Sequence, residues 1–149
     1  MKTIKIKEIE INITGINDND YISLTDIARI KNQKEPKDVV KNWMRLRSTL
    51  EYLELWERLN NPNFNRVEFD PLLLESGRNA FTMSPSRWIK EFNAIGIRTK
   101  PTKNGGTFAH KDIALEFAIV IPTKKRQINL LIGKLVVKTI KLLELEALE

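Results

Sequence analysis

The chain contains no cysteine and a single histidine, His110. The first absence removes disulfides, thiolate zinc centres and a cysteine nucleophile. The second removes multi-histidine metal sites and leaves a serine–histidine arrangement only one base to work with. Long apolar runs are missing as well, since no stretch approaches the ~18 uninterrupted apolar residues of a membrane span. The opening MKTIKIKEIEINI alternates isoleucine with charge and has no continuous apolar run. It does not read as a secretory leader, so the cytoplasm, nucleoid-associated or viral, is the expected location. Acids are outnumbered too: 25 Lys and Arg stand against 19 Asp and Glu, a net charge of +6. What is present is an ordinary globular composition, 42% hydrophobic and 30% charged over 149 residues. That is enough for one folded domain. Its cation excess favours a polyanionic partner.

Ile4 and Ile6 alternate with lysines, and Ile9, Ile11 and Ile13 with Glu10 and Asn12, the period of two expected of strands. The phase slips between Ile6 and Ile9, which predicts a bulge near Lys7–Glu8. Turn formers fill Gly15 to Asp20, and Tyr21–Ile22 supply the return strand of an N-terminal hairpin over residues 1–22. Ser23 with Asp26 is a capping-box variant that opens a first helix with Leu24, Ile27, Ala28 and Ile30 on its apolar face. Pro36 suits the first turn of a second. There Val39, Trp43, Leu46, Leu50 and Leu53 share one apolar sector, while Lys37, Lys41, Arg45 and Ser48 line the opposite face, so one helix is expected from Pro36 past Leu53. The acids from Glu51 to Glu57 recur at about one helical turn, the pattern of a solvated face.

Asn60 to Asn65 (NNPNFN) reads as a loop. Ser84–Pro85 opens a third helix that buries Trp88, Ile89, Phe92 and Ile95. Residues 97–109 read as a hairpin with its tip at Asn104-Gly105-Gly106. A fourth helix starts near Lys111 and buries Ile113, Ala114, Phe117 and Ala118. Pro122 interrupts it, and a last helical stretch is expected from Gln127 to Leu148. The fold class is therefore α+β: a small helical domain with antiparallel hairpins over residues 1–121, followed by a C-terminal helical segment over 122–149.

The basic excess is concentrated. Arg29, Lys31, Lys34, Lys37, Lys41, Arg45 and Arg47 meet only Glu35 and Asp38 in their stretch of chain. Arg78, Arg87, Lys90, Arg98, Lys100 and Lys103 meet only Glu91. The first block is the loop and second helix of a helix–turn–helix pattern, and the second includes a hairpin. Together they match the winged arrangement, in which one helix enters the major groove and the wing lies on the backbone.

YISLTDIAR, VVKNWMRLRSTLEYLELWERLNNPNFN, VEFD and GGTFAHKDIALEFA resemble the KilA-N domain of phage, bacterial and large-DNA-virus proteins, over roughly residues 20–121. The resemblance implies a small α+β DNA-binding domain, related in fold to the APSES domain of fungal transcription factors, with winged-helix character. It makes the helix around Lys37–Arg47 the reader and residues 98–107 the wing. It also implies a regulatory or accessory role in a phage or other mobile element.

On chemistry, Arg45 and Arg47 offer the guanidinium fork that suits guanine or phosphate, and Asn42 the amide that suits adenine. Arg47 is also spaced to pair with Glu51. Lys37 and Lys41 are better phosphate partners, and Ser48 continues their stripe. On the hairpin the candidates are Arg98, Lys100, Lys103, Asn104, Gly105, Gly106 and Thr107. Trp43, Trp56 and Trp88 are expected in the core rather than as stacking platforms. His110 is expected as a helix cap or a neutral, satisfied histidine. No catalytic motif surrounds it, and Glu68 with Asp70 make a weak case for a metal-dependent nuclease. The expectation is a non-enzyme without cofactor, metal or small-molecule substrate. Its partner is double-stranded DNA, and the C-terminal helix is a candidate for homodimerisation. Two other readings stay open: an RNA or single-strand binder, and an interaction module whose basic face is incidental.

Overall fold

The computed structural model describes residues 2–6, 9–100, 106–120, 137–138 and 140–146. The N-terminal alternation of isoleucine and polar residues becomes strands β1 (Lys2–Ile6) and β2 (Ile9–Ile16), followed by β3 (Asn19–Ser23). The expected bulge at Lys7–Glu8 falls outside the described residues. On either side of it Ile6 pairs with Ile9, so the phase slip marks a chain reversal between two antiparallel strands. One hairpin was expected over residues 1–22, and the strands form two. The second turns at Asn17 and Asp18, whose φ values of 49° and 65° lie in the left-handed region that short Asn and Asp side chains tolerate.

Ser23 ends β3 and caps α1 (Leu24–Lys31), its Oγ accepting the Asp26 backbone N–H. Pro36 then opens α2 (Pro36–Met44). The single helix expected through Leu53 is broken here. Arg45 caps α2, Leu46 takes an extended backbone (φ −70°, ψ 132°), and α3 (Arg47–Asn60) starts afresh. The break turns Leu46 outward, leaving it 40% exposed, and lets α2 bury Val40 and Met44 beside Val39 and Trp43. From α3, Leu50, Leu53 and Trp56 continue the core. A short 3₁₀ turn (Arg66–Glu68) leads into α4 (Phe69–Ser76), a helix the sequence pattern did not announce, and Ser84 caps α5 (Pro85–Phe92).

The hairpin is formed by β4 (Ile97–Thr99) and β5 (Thr107–His110), and α6 (Lys111–Val120) follows directly. The five strands make one antiparallel sheet in the order β1-β2-β3-β5-β4. Its inner face, with Ile13, Ile22, Ala109 and Ile97, meets the helices in a core that also holds all three tryptophans. Beyond α6, helical residues 140–146 lie on this body. Leu143 joins the core, and Lys111 approaches Glu144 at 3.9 Å.

Two carboxylates expected on a solvated face are buried instead. Glu54 pairs with Arg58 at 3.2 Å and Arg66 at 3.3 Å. Glu57 is fully enclosed and accepts the backbone N–H groups of Ile95 (2.9 Å) and Gly96 (2.6 Å) and the Asn61 side-chain amide (2.9 Å). This latch fixes the start of β4 onto α3. Gly96 must be glycine for packing reasons, because a Cβ there would lie 2.5 Å from the Ile113 side chain and 2.8 Å from the Glu57 carboxylate.

Candidate nucleic-acid interface

At about 100° per residue, α2 presents an exposed arc with Lys37 and Lys41 toward one edge, Arg45 in the middle and Asn42 at the other edge. All four are exposed, and none of the three cations has a carboxylate partner among the described residues. Two clefts flank this arc.

The first, of about 350 Å³, lies between Lys37 and Lys41 of α2, the hairpin, and the start of α5. Lys100 and Gly106 complete its hairpin wall, and Thr25, Ser84, Ser86, Thr99 and Thr107 contribute hydroxyl-bearing side chains. No carboxylate lines it. Thr25 Oγ1 accepts the Thr107 backbone N–H at 3.1 Å, which ties the hairpin to the start of α1. Two ammonium groups, those of Lys37 and Lys41, stand among neutral hydroxyls with no competing acid, a combination suited to phosphate oxygens.

The hairpin is oriented by strand alternation. Thr99 and Thr107 share the face that looks onto this cleft. Arg98 pairs across from Phe108 and sits beside the Tyr21 hydroxyl on the opposite face. Tyr21 in turn donates to the Ile95 carbonyl at 2.8 Å, and burial pushes its pKa up. Lys100 reaches across the same outer face, its ammonium 5.3 Å from the Phe108 ring centroid and 2.9 Å from Thr14 Oγ1. Lys103, Asn104 and Gly105 lie outside the described residues.

The second cleft, of about 550 Å³, opens on the other flank of α2. Asn42 and Arg45 meet Lys31 from the end of α1 and Arg78 from the loop after α4, over a floor that includes Trp43 and Phe81. Arg87 steadies this loop by donating to the Thr82 carbonyl (3.0 Å), Glu75 (3.2 Å) and Glu91 (2.9 Å), partners that hold its guanidinium firmly charged.

The structure thus gathers Lys37, Lys41, Lys100, Gly106 and Thr107 at one cleft and Asn42 with Arg45 at the other. Arg47 and Ser48, at the start of α3, line neither, and Arg47 is paired with Glu51 at 2.8 Å. Of the first cleft's hydroxyls only that of Thr107 was anticipated, not those of Thr25, Ser84, Ser86 and Thr99, and Lys31 and Arg78 were visible only as members of the two basic blocks.

The KilA-N domain profile matches residues 4–132, most of the chain. The chain belongs to the KilA-N domain family. KilA-N is a DNA-binding domain family, so the cation-lined clefts occur in a domain of the matching class. The match extends beyond the quoted motifs at both ends, taking in the N-terminal strands and part of the segment after Ile121. No curated protein and no solved structure matches the chain.

In this KilA-N domain His110 has the role expected of it. It precedes α6, and its Nδ1 accepts the Asp112 backbone N–H at 3.2 Å. Its ring lies edge-on to Tyr21 and beside Trp56. Burial lowers its pKa, against the opposing pull of Asp112. Among the described residues there is no cluster able to hold a metal ion, and no helix is long and apolar enough to cross a membrane.

Proposed function

We propose that this KilA-N domain is a non-enzymatic binder of double-stranded DNA, acting as a regulatory or accessory protein of phage or mobile-element origin. In this reading α1 and α2 form a helix–turn–helix and α2 enters the major groove. Lys37 and Lys41 hold phosphates in the first cleft, while Arg45 and Asn42 read base edges. The β4–β5 hairpin acts as the wing and contributes through Thr99, Gly106 and Thr107 as well as lysine. The carrying observation is the first cleft, which sets the Lys37 and Lys41 ammonium groups among five hydroxyl side chains with no carboxylate.

A second observation favours duplex over single strands. Every aromatic ring of the chain is buried or half-buried, so none is offered as a stacking platform for unpaired bases. The test is competition between duplex DNA, single-stranded DNA and RNA, repeated across salt concentrations. Duplex should compete best, with log affinity falling against log salt at a slope of about −5, from ~0.9 per neutralised phosphate. A slope near zero, or a preference for single strands, overturns the proposal.

A further inference from the structure

The two clefts lie on opposite edges of one helix. A helix with its side chains is about 10–12 Å across, and the major groove of B-DNA is about 12 Å wide. A helix seated there therefore has a sugar–phosphate wall within side-chain reach on each flank, and the two walls belong to opposite strands. Lys37 and Lys41 serve one flank. On the other, Lys31 and Arg78 stand beyond Asn42, both exposed and both without a carboxylate partner among the described residues.

We infer that the cleft containing Lys31 and Arg78 takes a phosphodiester of the strand opposite the one held at Lys37 and Lys41, so that α2 is gripped on both walls of the groove. This rests on the duplex reading and adds to it a second-strand site. The chemistry fits a sugar–phosphate segment. The two cations come from separate elements, at the end of α1 and after α4, and converge on one opening. Below them Trp43 and Phe81 give an apolar floor for the deoxyribose. The one carboxylate on the wall, Asp38, belongs to the first turn of α2, where the helix N-terminus accommodates it. The loop bearing Arg78 is tied at its two ends by Arg87, which donates to the Thr82 carbonyl and to Glu75 of α4.

The experiment compares the parent with a Lys31→Ala, Arg78→Ala double variant and a Lys37→Ala, Lys41→Ala double variant. Each is bound to duplexes carrying one neutral methylphosphonate at successive positions on either strand. All four side chains are exposed, so thermal melting verifies that the fold is kept. The Lys31/Arg78 variant should lose about two units of salt slope and retain its base preference. It should become insensitive to neutral phosphates on one strand alone, and the Lys37/Lys41 variant to those on the other. An unchanged slope, insensitivity mapping to the same strand in both variants, or an altered base preference overturns the inference while leaving the duplex reading standing. If the parent itself binds duplex no better than single strands, the duplex reading falls first and carries this inference with it.

Discussion

Replacing Glu57 by glutamine keeps the shape of the side chain and changes what it can accept. The native carboxylate faces only donors: Oε1 lies 2.9 Å from Ile95 N and 2.9 Å from Asn61 Nδ2, and Oε2 lies 2.6 Å from Gly96 N. Glutamine must turn its amide nitrogen toward one of these sets, putting donor against donor in a fully buried place. One charge-assisted hydrogen bond is lost, worth about 1.5–3 kcal/mol, and a buried donor is left unpaired at about 1–3 kcal/mol. With local adjustment the net loss should be about 3 kcal/mol. For a domain of this size that is a fall in melting temperature of roughly 6–12 °C. Thermal and urea unfolding followed by circular dichroism would measure it, with an unchanged urea slope confirming that the native fold is compared. Glu51→Gln on the same helix is the control, because its exposed pair with Arg47 should be worth less than about 1 kcal/mol. Since the latch anchors β4, Glu57→Gln should also weaken duplex binding well below its melting temperature, without altering the salt slope. A melting shift under about 2 °C would refute the view that this carboxylate holds the hairpin.

Three further outcomes follow from the geometry. Lys37→Ala with Lys41→Ala should lower the salt slope of duplex binding by about two units, whereas Arg98→Ala, on the outer sheet face beside Tyr21, should leave it unchanged; gel-shift titrations over a range of salt would decide. His110 has its pKa lowered in the folded state, so its contribution is complete above its unfolded value near 6.5 and declines as pH falls from there toward the folded value. Urea midpoints should accordingly drop below about pH 6.5, and His110→Gln should flatten that part of the profile. Leu143→Ala should cost about 2–3 kcal/mol, seen as a lower urea midpoint, because Leu143 is part of the hydrophobic core.

The elements legible in the sequence are those announced by a local chemical signal. Ser23 with Asp26, Pro36, and Ser84 with Pro85 each mark a helix start, and all three helices begin where those residues stand. The break at Arg45–Leu46 carries no such mark. No glycine, proline or Asx residue interrupts the chain there, and Leu46 falls on the same sector as Val39 and Leu50, so the apolar period runs through the kink. Only tertiary demand, the burial of Val40 and Met44, separates the two helices. Likewise α4 holds three consecutive leucines, Leu72 to Leu74, which fit no single period; Leu72 is buried and Leu74 is exposed. Glu57 looked like a surface acid because its partners are the backbone N–H groups of Ile95 and Gly96, which no composition reveals. The basic character of α2 was legible. Which edge of it each cation occupies, and that Arg78 faces it from the loop after α4, depends on contacts far apart in sequence.

How the cations are divided ties stability to binding in this fold. The arginines that hold elements together are each committed to carboxylates: Arg29 to Asp26, Arg58 and Arg66 to Glu54, Arg87 to Glu75 and Glu91. Around α2 the pattern reverses, and Lys31, Lys37, Lys41, Arg45 and Arg78 have no ion-pair partner among the described residues. Like charges gathered on one surface repel, a standing cost to the unliganded fold that salt reduces and a polyanion removes. The cost is tolerable because the cations stand on exposed side chains in high dielectric and spread over both edges of the helix. Two consequences share this origin. The surface is held slightly unstable when empty, and the same repulsion favours binding when a line of phosphates replaces the solvent. Fold-holding and ligand-seeking charges thus occupy different residues, so the second set can be altered with little effect on the first.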